Sequence, residues 1–265
     1  MTAAAPEPDG RAAWPAAEFT ERLRAVTRAR YHDRHPFNQR MHRGELTPAE
    51  LRRWIAARFH YQRHIPVKDA LILAALERPE DRRAWLRRIH DQDGTDGTGG
   101  GIERWLRLGE AAGLDREQLW DASRVPPGVR FAVAAYVDFC RRRPVLDAVA
   151  ASLTELSAPD LMRTRIAAFE RHYPWIDPAG LAYFRTRVTQ GARDAEQALA
   201  LVLARARTLD EQQRAVAALE FKCEVLWALL DAVDTVDTAD ATTAVAAVAA
   251  PDSTRRERTA VGGGT

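Results

Sequence analysis

A set of polar side chains interrupts the apolar faces of predicted helices in widely separated parts of the chain. Most of them are cations on stripes whose other members are apolar. If they converge, their cavity suits a ligand with several carboxylates, because guanidinium and ammonium groups bind carboxylates through charge-assisted hydrogen bonds. The set comprises Arg58, Gln62, Lys68, Arg88, Tyr136, Glu155, Arg165, Tyr183, Arg187 and Lys222.

The segment 47–69 is the best defined of the elements that must position this set. Thr47 followed by Glu50 is the signature of a capping box, which predicts the start of a helix. Arg58 and Gln62 fall on the apolar stripe of that helix, where unpaired polar groups are costly. Two interpretations stay open: these side chains pair with other protein groups, or they line a cavity that holds a polar, anionic ligand.

Cysteine and histidine give weaker signals. Cys140 and Cys223 have neither metal-ligand spacing nor an evident local base, so both are predicted to be buried small apolar residues. His60 and His64 are one helical turn apart and could grip a metal ion. No carboxylate accompanies them in Glu-x-x-His form, so no metal site is predicted.

Residues 91–103 contain a glycine-rich run that resembles a calcium-binding loop at first sight. Its register fails, because Asp96 stands where that loop needs glycine and Ile102 stands where it needs glutamate. The run also lacks the Lys-Ser/Thr ending of a phosphate-binding loop. We therefore predict a flexible interhelical loop, which could serve as a lid.

The hydrophobic periodicity predicts helices throughout and shows no convincing strand alternation. Capping signals and glycine or proline breaks divide the chain into about seven to nine helices. The helix after Pro66 is apolar nearly all round, so we expect it to be buried. We predict an all-α bundle in a single domain over residues 16–235, with disordered segments at 1–15 and 236–265.

Composition is typical of soluble globular proteins. The 265 residues are 46% apolar and 29% charged, and 39 basic against 37 acidic residues give a net charge of +2. This balance does not favour nucleic-acid binding, and no apolar run reaches the length of a bilayer span. The N-terminus lacks the regions of a signal peptide. These features predict a cytoplasmic location without membrane or nucleic-acid partners.

Long motifs are distributed along residues 19–234. They are R-F-H-Y-Q-R-H-I-P-V-K-D-A at 58–70, D-G-T-D-G-T-G-G-G-I-E-R-W-L-R-L at 93–108, P-G-V-R-F-A-V-A-A-Y-V-D-F at 127–139, A-S-L-T-E-L-S-A-P at 151–159, H-Y-P-W-I-D at 172–177 and F-K-C-E-V-L-W at 221–227. Together these motifs resemble the pyrroloquinoline-quinone synthase family of the haem-oxygenase-like superfamily.

The resemblance implies a haem-oxygenase-like helical bundle, usually a homodimer. It implies an oxidase that closes a ring in a bicyclic tricarboxylate precursor and oxidises it with molecular oxygen to pyrroloquinoline quinone, releasing hydrogen peroxide. This is the last step of pyrroloquinoline quinone biosynthesis. Oxygen would be a co-substrate, and the family uses no metal and no organic redox cofactor. The expected partners are the small polycarboxylate substrate and the quinone product.

The resemblance also carries site residues onto this chain. Tyr183 and Arg187 would lie near bound oxygen and stabilise reduced oxygen species electrostatically, while the other cations would pair with carboxylates and quinone oxygens. His32, Gln92 and Met162 enter through the resemblance alone. The predicted catalytic residues are Tyr183, Arg187, His32, Lys222 and Tyr136, and the predicted substrate-binding residues are Arg58, Gln62, Lys68, Arg88, Gln92, Glu155, Met162 and Arg165.

Two positions depart from the family pattern. Gln92 and Met162 stand where the family carries histidines implicated in proton transfer or oxygen handling. Neither side chain can exchange a proton near neutral pH, so neither can act as a general base. Three alternatives to the synthase stay open: a diverged oxidase of another carboxylated, amino-acid-derived metabolite, a non-catalytic protein that holds the quinone or its precursor, and a metal-dependent oxidase of the same superfamily.

Overall fold

The computed structural model describes residues 12–235, which are almost entirely helical. Within that range the α-helices are α1 (Ala16–Arg30), α2 (Pro36–Arg43), α3 (Pro48–Gln62), α4 (Ile65–Ala75), α5 (Pro79–Asp93), α6 (Gly101–Ala111), α7 (Arg116–Trp120), α8 (Pro127–Arg142), α9 (Val145–Ala151), α10 (Ala158–His172), α11 (Ala182–Arg205) and α12 (Leu209–Asp234). Short 3-10 segments occupy His32–Arg34, Ala122–Arg124, Ser152–Ser157 and Pro178–Leu181.

The all-α prediction is confirmed. The described part holds twelve α-helices, more than the seven to nine expected. Of the two segments predicted to be disordered, residues 1–11 and 236–265 lie outside the described residues. In the remainder, the backbone of Trp14 exchanges hydrogen bonds with the Gln212 side chain on α12, at 2.7 and 3.0 Å.

Local signals set the ends of the helices that build the site. The capping box of α3 is complete: the Thr47 hydroxyl accepts from the Glu50 amide at 3.2 Å, and Glu50 accepts from the Thr47 amide at 2.7 Å. Thr208 and Glu211 repeat this arrangement at the start of α12. Each box satisfies amide groups that the first helical turn leaves unpaired, which fixes the start of the helix.

The expectation that the helix after Pro66 is buried on all sides is wrong. That helix is α4, and Val67 on it is 44% exposed, while its buried side carries Lys68 and Asp69 together with Ile72. The two charged side chains can be buried because they pair with each other, Lys68 Nζ lying 2.6 Å from Asp69 Oδ1. A charged pair can therefore occupy the buried side of a helix, and apolar content alone misled the prediction.

Aromatic rings from α3, α6, α10 and α11 pack together behind the site. The Trp54 ring lies 5.6 Å from that of Trp105, and Phe169 and Phe184 contact each other edge to face at 5.5 Å between centroids. Trp105 also meets Phe184 edge to face. Each such pair stabilises the fold by about 0.5–1.5 kcal/mol more than the burial of its apolar surface alone. This cluster holds four helices in fixed relation and gives the neighbouring cavity a rigid wall.

The glycine-rich run forms a minimal hairpin in place of an open loop. β1 (Gly94–Thr95) pairs antiparallel with β2 (Thr98–Gly99), and α6 begins at Gly101. Gly94 has φ of +91°, a conformation that favours glycine. The hairpin brings the start of α6 against the end of α5, where Gln92 lies.

Candidate functional site

One internal cavity gathers nearly all the predicted site residues, and it lies between α3, α4, α8, α10, α11 and α12. The volume that it offers to the centre of a water molecule is about 80 Å³. Every predicted site residue lines it except Gln62 and Arg88. The lining comprises Tyr31, His32, Arg58, Tyr61, Ile65, Lys68, Gln92, Tyr136, Ser152, Thr154, Glu155, Ala158, Met162, Arg165, Tyr183, Arg187, Lys222 and Leu226.

Gln62 and Arg88 lie directly behind the wall of the cavity. Gln62 accepts a hydrogen bond from the Tyr183 hydroxyl at 2.7 Å and donates one to Gln92. Arg88 donates to Glu155 Oε2 at 2.6 Å. Neither residue is part of the cavity lining, and their contact with a ligand stays a prediction. A helical stripe shows which side of a helix is buried, but it does not show how deep a residue lies or what covers it.

Three of the predicted cations already have carboxylate partners. For these residues, pairing with other protein groups is therefore the interpretation that applies. Arg88 pairs with Glu155, as described above. Lys68 pairs with Asp69 and also donates to the Ser152 hydroxyl at 3.1 Å. Arg187 donates to Asp194 at 3.0 Å. These charges are therefore largely neutralised by the protein itself.

The other three predicted cations, Arg58, Arg165 and Lys222, have no carboxylate partner among residues 12–235; we call them the unpaired cations. Arg165 is 3% exposed, donates to Asn38 at 3.1 Å, and has a buried Nε without a hydrogen-bond partner. Arg58 likewise has a buried, unpartnered Nη1. Lys222 is 1% exposed and donates to the Tyr61 hydroxyl at 2.7 Å. Buried positive charge without a counter-charge calls for an anionic ligand.

Two tyrosine rings enclose the ammonium group of Lys222. Its Nζ lies 3.6 Å from the Tyr136 ring centroid and 4.2 Å from that of Tyr61, and the two rings are nearly parallel. Cation–π attraction partly offsets the cost of burial. Burial, with Arg58 and Lys68 nearby, still holds the pKa of Lys222 well below its usual value. Part of the Lys222 population can therefore be neutral and accept a proton.

His32 and Arg165 also respond to this concentration of positive charge. Burial, reinforced by Arg165 and Arg58, lowers the pKa of His32 well below its usual value, and its Nδ1 has no hydrogen-bond partner. Burial and the proximity of Arg58 lower the pKa of Arg165 to about 10. His32 is therefore a neutral imidazole near pH 7, able to accept a hydrogen bond or a proton.

Binding of a polycarboxylate should be accompanied by proton uptake. A ligand carboxylate near Lys222 raises its lowered pKa, so the complex takes up a proton wherever free Lys222 is partly neutral. We expect the calorimetric binding enthalpy to differ between phosphate and Tris buffers at the same pH, in proportion to their ionisation enthalpies. Lys222→Met should abolish the difference. Equal enthalpies in both buffers across the alkaline range would contradict this assignment.

A glycine contact should determine the position of Gln92. A Cβ on Gly101 would come within 2.2 Å of Gln92 Oε1 and 3.3 Å of Gln62 Nε2. We expect Gly101→Ala to displace the Gln92 amide and break its bond to Gln62, destabilising the fold by about 1–3 kcal/mol. Gly191→Ala is the matched control, because its nearest neighbours would be 3.7 Å away; it should stabilise α11 by about 0.5–1 kcal/mol. Thermal unfolding of both variants measures the difference.

Sequence reasoning missed several residues that complete the site. Tyr61 lines the cavity and contacts two of the unpaired cations, and its spacing of three from Arg58 was an available signal. Asp69 follows Lys68 directly, and Asp194 lies two helical turns after Arg187. Ser152 and Thr154 also line the cavity, and their patterns gave no signal that would distinguish them from ordinary helix residues.

The weaker candidates acquire structural roles. His64 Nδ1 bonds the His60 carbonyl oxygen at 2.6 Å, and no group of three or more potential metal ligands occurs in the part of the chain that the structure describes. Cys140 and Cys223 are buried as expected, and burial raises the pKa of each thiol to about 11.

Within residues 12–235, no helix combines the length and apolarity that crossing a membrane requires.

The fold and its buried cationic cavity define an all-helical protein of the haem-oxygenase-like class. A domain with a haem-oxygenase-like fold from Shewanella denitrificans superposes with a TM-score of 0.71 at 15% identity, covering 86% of this chain and 96% of that one. A TenA homologue from Pseudomonas syringae pv. tomato gives 0.67 at 14% identity over 85% and 98% of the two chains. At sequence identities this low, the similarity is evidence for a shared fold only.

Residues 20–232 match the TENA/THI-4/PQQC family, and the chain belongs to that family. Among curated relatives, a protein named pyrroloquinoline-quinone synthase from Cronobacter sakazakii is 50% identical over 216 residues, 82% of this chain and 86% of the relative. Proteins of the same name from Ectopseudomonas mendocina and Pseudomonas aeruginosa are 50% and 49% identical, over 84% of this chain and 88% and 89% of theirs. The resemblance stated from the motifs is confirmed.

Proposed function

We propose that this chain is a pyrroloquinoline-quinone synthase, an oxidase that closes a ring in a bicyclic tricarboxylate precursor and oxidises it with oxygen. Relatives of that name, about half identical over more than four fifths of the chain, support the proposal. One observation carries it: the three unpaired cations face a single cavity, and no carboxylate of residues 12–235 pairs with any of them. Three cations match a ligand with three carboxylates.

The substrate is held from the side of the unpaired cations. Its carboxylates satisfy the buried nitrogens that have no partner, Arg58 Nη1 and Arg165 Nε, and bind the ammonium group of Lys222. Tyr136 and Tyr61 present ring faces and Met162 a thioether to the planar body of the substrate. The reacting ring lies toward Lys68, Arg187 and Glu155, where the charges of the protein are already balanced.

Oxidation requires groups that accept protons and groups that stabilise reduced oxygen. Each two-electron step transfers two electrons from the substrate to O₂, which becomes hydrogen peroxide on gaining two protons. Neutral His32 can accept a proton that the substrate loses, whereas Lys222 is the protonated partner of a substrate carboxylate. Arg187 provides a positive charge for reduced oxygen. Tyr183, one turn away on α11, provides a donor when its hydroxyl proton turns from Gln62 towards the oxygen. Oxygen is the co-substrate in this proposal, without a metal or organic redox cofactor.

The precursor oxidation assay tests the proposal. Purified protein is mixed anaerobically with authentic precursor and then exposed to air, while absorbance, oxygen and peroxide are recorded. We expect the quinone spectrum to appear, with one peroxide formed for each O₂ consumed. Tight quinone binding without oxygen uptake would identify a non-catalytic binding protein instead. Activity that depends on stoichiometric iron or manganese would identify a metal-dependent oxidase.

The proposal extends to assembly and location. The family resemblance supports a homodimer, and multi-angle light scattering of the purified full chain would give the mass directly. A mass near the 29.6 kDa of one chain would contradict the homodimer. Fractionation of cells that express the protein tests the cytoplasmic location, for which a small soluble substrate and reduced cysteines argue.

A further inference from the structure

A buried network of alternating charges lies beside the cavity, between α5, the Ser152–Ser157 segment and α11. Asp194, 1% exposed, is at its centre. Its carboxylate accepts a hydrogen bond from Arg187 Nη1 at 3.0 Å and another from Arg193 Nη2 at 2.7 Å. Its backbone carbonyl accepts a hydrogen bond from Arg88. Asp194 therefore contacts three arginines, only one of which, Arg187, lines the cavity.

The position of Arg187 depends on two carboxylates. Arg187 and Asp194 are seven residues apart on α11, so their side chains share one face of the helix. The guanidinium lies along that face, with Nη2 3.7 Å from where a Cβ on Gly191 would be. On the other side, Nη2 lies 3.4 Å from Glu155 Oε1. A planar guanidinium bound to two carboxylates is held in one orientation, because its donors point in fixed directions.

The network also cancels its own charge. Although burial opposes ionisation, Arg88 and Arg187 hold the pKa of Asp194 below its usual value, so it carries a full negative charge near pH 7. Glu155 lies between the same two arginines, and Arg193 is shared with Asp91. The unpaired cations across the cavity have no carboxylate beside them in residues 12–235. The side of the cavity with the unpaired cations is therefore more positive than the side with the network, and an anion is attracted to the unpaired cations.

We propose that Asp194 is a positioning residue for the oxidation: it fixes the Arg187 guanidinium at the cavity wall and cancels its charge, so that substrate carboxylates bind the unpaired cations instead. This inference rests on the proposed function above. Arg187 then stays in one place and free of substrate carboxylates, which is what a group that stabilises reduced oxygen requires. Asp194 itself does not line the cavity and acts through Arg187.

The variant Asp194→Asn tests the proposal, because it removes the charge with little change of shape. We expect kcat for precursor oxidation to fall by about 10–100-fold, since Arg187 loses its fixed position. KM for the precursor and Kd for the quinone should stay the same or decrease, since this side of the cavity becomes more positive. A fall in kcat accompanied by a rise in both KM and Kd would indicate general structural damage and overturn the proposal.

Asp81→Asn is the matched control. Asp81 on α5 accepts a hydrogen bond from Arg205 on α11 at 2.6 Å, so this pair joins the same two helices away from the cavity. We expect Asp81→Asn to lower the melting temperature while leaving kcat, KM and Kd as in the wild type. An equally large loss of kcat in Asp81→Asn and Asp194→Asn would show that kcat depends on the connection between α5 and α11. It would contradict a specific role for the position of Arg187.

The outcomes separate this inference from the proposed function. A wild-type protein that does not oxidise the precursor refutes the proposed function. A wild-type protein that does, together with an Asp194→Asn variant whose kcat is within about twofold of it, refutes the positioning role alone. If Asp194→Asn does not fold, Arg193→Gln replaces it, because Asp194 still binds Arg187 there and kcat should be retained. A large loss of kcat in Arg193→Gln would then assign the network to stability and overturn the proposal.

Discussion

Replacing Arg165 by methionine should weaken binding of the polycarboxylate by about 100-fold and at the same time make the protein more stable. The guanidinium is buried and has no carboxylate partner among the described residues, and burial together with the nearby Arg58 lowers its pKa to about 10. A ligand carboxylate bound to it contributes about 1.5–3 kcal/mol, which the variant loses.

The stability of Arg165→Met follows from the same burial. Methionine removes a buried charge that has no carboxylate partner among residues 12–235, and replacing buried charged groups by well-packed apolar side chains is neutral or stabilises proteins by about 1–4 kcal/mol. The loss of the hydrogen bond to Asn38 offsets part of that gain, so we expect a net increase of about 1 kcal/mol in the free energy of unfolding. Denaturant unfolding and quinone titration measure the two effects.

Arg40→Met is the control for the first prediction. Arg40 pairs with Glu50, which is 6% exposed, and both lie outside the cavity lining. Its loss leaves a carboxylate without its partner, so we expect a destabilisation of about 1–3 kcal/mol and unchanged quinone affinity. The paired and the unpaired arginine should thus shift stability in opposite directions. A destabilised Arg165→Met protein that binds the quinone normally would contradict the proposed role of the unpaired cations.

Tyr183→Phe should lower kcat for precursor oxidation by about 100-fold. The Tyr183 hydroxyl lines the cavity beside Arg187 and is held by a hydrogen bond of 2.7 Å to Gln62, which in turn donates to Gln92. Removing one oriented group that stabilises developing negative charge costs about 10²–10³ in rate. KM should change little, because the carboxylates of the substrate bind the unpaired cations. Stopped-flow mixing of the precursor complex with oxygen measures the effect.

Loss of this hydroxyl also leaves the Gln62 amide oxygen buried without its donor, which costs about 1–3 kcal/mol. Tyr173→Phe separates this cost from the effect on rate. The Tyr173 hydroxyl is buried too and donates to the Met41 carbonyl at 3.0 Å, but it lies outside the cavity lining. We expect a similar loss of stability with normal kcat. Equal kcat in the two variants would remove Tyr183 from the proposed mechanism.

The sequence could predict much of the site because burial and polarity conflict visibly in it. Arg165 and Lys222 interrupt apolar helical stripes, and both are fully buried in the structure. Such positions can be read from periodicity, since the side of a helix that faces the core depends only on local spacing. Arg88 shows the limit of this reasoning, because it satisfies the same rule and yet lies behind the cavity, bonded to Glu155.

The amino-acid sequence by itself determined the all-α fold, the starts of α3 and α12, the family and the stripes that carry the cations. These properties follow from local spacing and capping, and in the case of the family from long motifs. Only the tertiary structure decided which cations are neutralised and which have no carboxylate partner, because the packing of the helices determines which side chains meet in the core. Arg88 meets Glu155 and Arg187 meets Asp194, whereas Arg58 meets no carboxylate in residues 12–235. A charge is available for binding only when folding leaves it without a partner.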